Sequence, residues 1–210
     1  MPPFFMIDFF SQINEDLWIS DGILSDKECR LLITEAKPLL SKSTILKKKN
    51  SDPSISEYRT SNTATLEKTN YSTQHEGYDV ISKIEKVVQS LSFLPIENQE
   101  PLQVLQYSRG NEYKEHHDFF HEGTDYYEEQ IKKGGQRLFS VLFYLNNVSG
   151  GGETCFPKWD FNVTPREGRV VFWRNYKLGP IFESLHKAEP VVGGSKWVAV
   201  KWVREAPYTE

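Results

Sequence analysis

Residues 184–202 read SLHKAEPVVGGSKWVAVKW, and this stretch decides what kind of fold the rest of the chain has to build. From Lys196 onward the residues alternate, so Lys196, Val198, Val200 and Trp202 share one face of a strand. The segment around His186 is also strand-like and ends at Pro190. A turn at Gly193-Gly194 is expected to bring the chain back antiparallel and carry Lys196 towards a barrel mouth. Working outward, LQVLQYS (102–108), RLFSVLFYL (137–145) and GRVVFWR (168–174) are β-branched and aromatic, with glycine-rich breaks between them. Many short strands without βαβ alternation point to an antiparallel, barrel-like sandwich packed on helices.

The helices lie upstream. Ser25 and Glu28 form a capping box ahead of Cys29, Leu31, Leu32, Ala36 and Leu39-Leu40. Val80, Ile84, Val87, Val88 and Leu91 recur at helical spacing, which gives a second helix from about Tyr78 to Leu91. Residues 41–75 read as loop and short strand. The expected class is therefore mainly β with N-terminal helices (α+β), one domain over 1–210. In it, 1–95 would be helical support and flexible loop, and 96–206 the β core.

Composition removes several classes of function. The 210 residues carry 25 basic and 29 acidic side chains, a formal −4, with no basic stripe to recommend nucleic acid or an anionic membrane. Two cysteines, Cys29 and Cys155, do not make a disulfide framework and fit a reducing compartment. The start, MPPFFMIDFF, lacks a basic segment and a cleavage site, and no stretch approaches the roughly 20 apolar residues of a membrane span. A cytoplasmic location is the expectation.

The chemistry concentrates at HHD, residues 116–118. Side chains alternate along an extended segment, so His116 and Asp118 point one way and His117 the other. His116 and Asp118 can share a metal with a distant histidine, and His186 is the candidate. Two imidazoles and one carboxylate with positions left open suit non-haem iron(II) and dioxygen. Lys196, a cation at the end of an apolar strand face, suits a pocket that grips a carboxylate. Tyr107 and Thr154 could lend hydroxyls to the same anion.

With these residues in view, the chain resembles the iron(II)- and 2-oxoglutarate-dependent prolyl 4-hydroxylases. The resemblance runs from Tyr58-Arg59-Thr60-Ser61 to Lys201-Trp202-Val203. It is densest in LQVLQYSRGNEYKEHHDFF, GGQRLFSVLFYLNNVSGGGETCFP, GRVVFWR and SLHKAEPVVGGSKWVAVKW. It implies a double-stranded β-helix (jelly roll) with iron(II) on His116, Asp118 and His186. Lys196 would pair with the distal carboxylate of the cosubstrate 2-oxoglutarate, with Tyr107 and Thr154 hydrogen-bonding nearby and Trp202 lining the pocket. Arg137 would lie at the peptide-facing rim, and Tyr113 would face the substrate.

The implied reaction hydroxylates proline at the 4-position in a peptide or protein, with dioxygen consumed and succinate and carbon dioxide released. Ascorbate is implied as the reductant. The sequence after Arg59-Thr60-Ser61 reads NTATL, where family members often carry glycine and bulkier apolar residues, so the peptide preference is left open. The alternatives are the same chemistry on a lysine or free amino acid, and a metal-binding jelly roll without turnover. Residues 44–57 and 121–135, rich in turn formers, are expected to flank the mouth as lids. The sequence does not set an oligomeric state.

Overall fold

The computed structural model describes residues 9–44, 58–176 and 183–209. It opens with a hairpin of β1 (Ser11–Asn14) and β2 (Leu17–Ser20), then helix α1 (Asp26–Ala36), short strands β3 (Ser41–Lys42) and β4 (Asn62–Leu66), and helix α2 (Glu76–Ser92). The strand-rich part runs through β5 (Leu102–Tyr107), β6 (Tyr113–His116), helix α3 (Tyr127–Lys132), β7 (Arg137–Tyr144), β8 (Gly150–Gly151) and β9 (Thr154–Phe156). It continues with β10 (Phe161–Val163), β11 (Val170–Arg174), β12 (His186–Ala188), β13 (Val191–Gly193) and β14 (Lys196–Arg204).

The strands make an eight-stranded sheet in the order β1-β2-β11-β7-β14-β5-β4-β3, a four-stranded sheet β10-β9-β12-β6 and a pair β13-β8, with antiparallel pairing throughout. Two apolar clusters follow from the period of two. On one face of the large sheet, Val104, Phe143, Val170, Ala199 and Val203 pack on Leu32 of α1 and Ile84 and Val88 of α2. On the other, Leu105, Tyr144, Val198 and Val200 meet Phe156, Val163 and Ala188 of the small sheet. Helices on one side and two facing antiparallel sheets on the other make the double-stranded β-helix.

The helices form where the sequence places them. Ser25 caps α1 and Glu28 reaches back to the Ser25 N–H at 2.7 Å, so the capping box closes. Lys83 of α2 donates to both Glu28 carboxylate oxygens, which ties the helices together. Two expectations are corrected. Residues 1–95 are more than support, because β1 to β4 complete both ends of the large sheet. The chain also does not fold back on the His186 strand after Gly193-Gly194. β12 pairs with β6 and β9, whereas β14 pairs with β5 and β7, so the turn carries the chain from the small sheet to the large one. Buried on both faces, β14 needs two strand neighbours, and β5 and β7 supply longer apolar ladders than the three-residue β12 offers.

Candidate active site

A cavity of about 910 Å³ opens between the two sheets. The register of the small sheet builds its reactive end. His186 of β12 sits directly opposite His116 of β6, and Asp118 follows two residues after His116. One nitrogen or oxygen from each of the three lies within 4.8 Å of the others. His116 Nε2 is 3.7 Å from Asp118 Oδ1, and His186 Nε2 is 3.8 Å from Asp118 Oδ2.

Backbone carbonyls fix which nitrogens face inward. His116 Nδ1 is 2.8 Å from the Lys114 carbonyl, and His186 Nδ1 is 2.8 Å from the Ser184 carbonyl. A carbonyl only accepts, so each Nδ1 carries a proton and Nε2 is the nitrogen that each ring turns towards Asp118. Burial, reinforced by neighbouring His186, holds His116 well below the ordinary imidazole pKa. Burial works against ionising Asp118, but His186, His116, Arg137 and the Ser140 hydroxyl outweigh it and hold the carboxyl at about 2. The group thus offers two imidazole Nε2 atoms and an ionised carboxylate, a donor set that fits iron(II).

His117 turns away, as strand alternation requires, and its Nδ1 lies 3.2 Å from His121 Nε2. Aromatic rings wall the pair of histidines. Tyr113 stacks on His116 with centroids 3.5 Å apart, and Trp173 meets His186 edge-on at 4.9 Å.

Lys196 reaches the same cavity from the opposite sheet, with 2% of its surface exposed. No hydrogen bond or ion pair is made by its ammonium among the described residues, and the rings of Tyr107 and Tyr144 flank it at 5.3 and 5.5 Å. Burial pushes its pKa down to about 7 against the weaker pull of Cys155 and Glu153. Gly152, at φ +75°, makes room for it, since a Cβ there would come within 3.3 Å of Lys196 Cδ. Thr154 follows at the start of β9 and accepts a hydrogen bond from the Tyr144 hydroxyl at 2.7 Å, which leaves its own proton to donate. Tyr107, the register partner of Lys196, is buried against Arg59 and Ser61.

Arg137 lines the cavity and is held in place there. Its guanidinium grips Glu100 with two bonds of 2.6 and 2.7 Å and lies 3.8 Å above the Trp202 ring. Trp202 does line the cavity, but it is six residues along β14 from Lys196, roughly 20 Å of strand. It therefore belongs with Arg137 and not with the lysine. Its indole N–H is buried without a hydrogen-bond partner among the described residues.

Three contributors were missed in the sequence. Tyr144 flanks Lys196, Arg59 lies 5.0 Å over Tyr113, and Ser140 donates to Asp118 Oδ2 at 2.6 Å. The one usable signal was Ser140, a lone hydroxyl inside the apolar run RLFSVLFYL. Of the two segments expected as lids, 45–57 lies outside the described residues. The other holds α3 and is tied down at its far end, where Arg204 donates to the Gln130 and Gly135 carbonyls and Ala206 N–H to Gly134.

The chain is similar to known proteins in sequence and in fold. Residues 102–204 match the 2OG-Fe(II) oxygenase superfamily. Prolyl 4-hydroxylase 2 of Arabidopsis thaliana is 34% identical over 210 residues, which cover 89% of this chain and 66% of that protein. Probable prolyl 4-hydroxylase 8 of the same plant is 34% identical over 215 residues, 91% of this chain and 69% of that protein. The solved viral collagen prolyl hydroxylase of Paramecium Bursaria Chlorella virus-1, in complex with 2OG, superposes with a TM-score of 0.66 at 29% identity, over 91% of this chain and 97% of that one. The chain belongs to the 2OG-Fe(II) oxygenase superfamily and, within it, to the prolyl 4-hydroxylase family. It spans just under two thirds of the length of the first of these plant relatives.

Proposed function

We propose that the protein is a non-haem iron(II)- and 2-oxoglutarate-dependent dioxygenase that hydroxylates proline at the 4-position in a peptide or protein. The observation that carries this is the pairing, across one cavity, of the His116, Asp118 and His186 donors with a buried ammonium, Lys196, that has no polar partner among the described residues. Iron(II), when bound, supplies the activation of dioxygen and the oxidative decarboxylation of 2-oxoglutarate to succinate and carbon dioxide that drives hydroxylation.

The chain's own part is placement. His116, Asp118 and His186 come from one side and leave the cavity-facing positions open for 2-oxoglutarate and dioxygen. Lys196 receives the distal carboxylate, whose negative charge restores the proton that burial weakens, and Tyr107 and Thr154 offer hydroxyls beside it. Tyr113, Arg137 and Trp202 form the wall nearer the metal, where an extended proline-containing chain would lie against aromatic faces. Closing of the peptide over this wall keeps water from the reacting carbon. Ascorbate as a reductant follows from family membership and from no residue here. The relatives support the proline target: one is a prolyl 4-hydroxylase, one a probable prolyl 4-hydroxylase and one a viral collagen prolyl hydroxylase.

The test is succinate release from 2-oxoglutarate with iron(II), with and without a proline-rich peptide, followed by mass spectrometry of the peptide. Peptide-stimulated release with one oxygen gained on proline is the expected result. Stimulation by lysine peptides or free amino acids alone would move the target, and no release under any condition would remove the activity.

A further inference from the structure

Asp118 and His186 are linked by a series of buried hydrogen bonds, through side chains and backbone, that no family feature above accounts for. Ser140 Oγ donates to Asp118 Oδ2 at 2.6 Å, and Asn175 Nδ2 donates to Ser140 Oγ at 2.8 Å. The Ser184 hydroxyl donates to the Asn175 carbonyl at 2.9 Å, and the Ser184 carbonyl accepts from His186 Nδ1 at 2.8 Å. The Asn175 N–H, in turn, is fixed to the Leu138 carbonyl on β7 at 2.8 Å. Ser140, Asn175 and Ser184 are all buried, and they come from three segments distant in sequence: β7, the end of β11 and the approach to β12.

We propose that Ser140, Asn175 and Ser184 are positioning residues that set the Asp118 carboxylate and the His186 ring in one ligand geometry before the metal arrives. The proposal rests on the metal site argued above. The direction of the bonds carries it. The side-chain run is Asn175 Nδ2 to Ser140 Oγ to Asp118 Oδ2, each donor pointing towards the carboxylate, and such a run polarises itself that way. Ser184 acts through backbone groups, its hydroxyl fixing the Asn175 main-chain carbonyl and its own carbonyl fixing the His186 ring. With Oδ2 held by a hydroxyl, Asp118 presents Oδ1 as its single ligand oxygen and leaves the remaining positions to the cosubstrate. Strand alternation alone brings Asp118 to the site but leaves the carboxylate free to turn.

Manganese(II) affinity of the metal-free protein tests this without turnover, alongside the visible charge-transfer band of the anaerobic iron(II)–2-oxoglutarate complex. Ser140→Ala should weaken manganese binding roughly ten- to hundredfold, the range for lost outer-shell partners of metal ligands. Ser140→Thr, which keeps a hydroxyl, should restore most of the affinity. Asn175→Ala should cost less and add nothing on the Ser140→Ala background, because Asn175 acts through Ser140.

A shifted charge-transfer band in Ser140→Ala and a native-like one in Ser140→Thr would complete the case. Equal manganese affinity in wild type and Ser140→Ala, equal losses in the alanine and threonine variants, or additive losses in the double variant would each overturn it. Thermal melting of the metal-free forms separates a packing role, which would lower the melting temperature without splitting the two serine variants. If Ser140→Ala does not fold, Asn175→Ser and Asn175→Ala carry the same comparison. Failure of the wild type itself to bind manganese or iron would overturn the metal site and this inference together.

Discussion

Strand β14 carries two buried lysines five residues apart, on opposite faces of the large sheet. On the helix-facing side, Lys201 donates to the Glu100 carbonyl at 2.8 Å and lies 4.0 Å from Glu85. Its neighbourhood is satisfied, since Glu85 also takes Lys68 at 2.6 Å. On the cavity side Lys196 has two tyrosine rings and no counter-charge among the described residues. Both are pushed down by burial, Lys201 to about 8 and Lys196 to about 7. The first face uses charge to fasten strands together. The second keeps a charge waiting for a ligand, and that is what marks it as the site.

The sharpest way to break the contrast is to delete one charge of each kind, one that awaits a ligand and one that is already paired. Asp118→Ala should abolish iron-dependent turnover of 2-oxoglutarate and shift the melting temperature by only a few degrees, because the sheets close without metal. Glu100→Ala should act through stability, since it strands Arg137 and Arg204 as buried unpaired cations. Losing one partner of a buried pair costs about 3–5 kcal/mol, a large share of a domain's stability. Urea denaturation of both variants beside a succinate assay makes the check. A severe stability loss in Asp118→Ala, or a stable Glu100→Ala, would erase the distinction between charges that await a ligand and charges that fasten the fold.

The lysines allow a finer test by pH. Unfolded lysine titrates near 10.4, so burial makes the folded state bind fewer protons than the unfolded state above about pH 7 for Lys196 and about pH 8 for Lys201. The unfolded state then holds more protons, and stability of the ligand-free protein rises with pH towards 10.4 and falls as pH drops towards 7. Each lysine contributes at most about 1.4 kcal/mol per pH unit. Lys196→Met should remove the slope between pH 7 and 8 and leave the Lys201 part above it. Saturating 2-oxoglutarate should flatten the same portion in the wild type. Lys196→Met should also weaken 2-oxoglutarate binding by on the order of 2–5 kcal/mol, with Lys196→Arg a partial rescue because a planar fork needs different room. An unchanged slope with ligand would separate Lys196 from the cosubstrate.

Much of this was legible in the sequence because it is local. The capping box at Ser25 and Glu28, the apolar face of α2 and the alternation that puts Lys196 and Trp202 on one face are short-range signals. Alternation also separated His116 from His117. What the sequence did not carry depends on which strand pairs with which. The register of His186 with His116, the passage of β14 away from β12 and the closing of Glu100 on Arg137 are decided by partners seventy, at least fifty-four and thirty-seven residues away in the chain. Hydrophobic pattern does not distinguish among such partners, since β5, β7, β11 and β14 are all apolar. Ser140 and Tyr144 were hidden for the same reason: their roles come from what faces them across the cavity.

The smallest expected effect tests the alternation itself. His117 sits between two site residues in sequence, yet its ring leans on Phe119 at 4.7 Å and on His121, away from the Asp118 carboxylate. His117→Ala should keep turnover within about threefold of the wild type, and stability should shift by less than about 1 kcal/mol, as for a partly exposed side chain with no structural duty. His116→Ala, one residue earlier, should be inactive and should lose manganese affinity. The His117 ring is close enough to the mouth for its loss to reach peptide affinity before it reaches 2-oxoglutarate turnover without peptide. Measured side by side, an inactive His117→Ala with an active His116→Ala would mean that the strand is turned by one residue, and every ligand named on it would have to move.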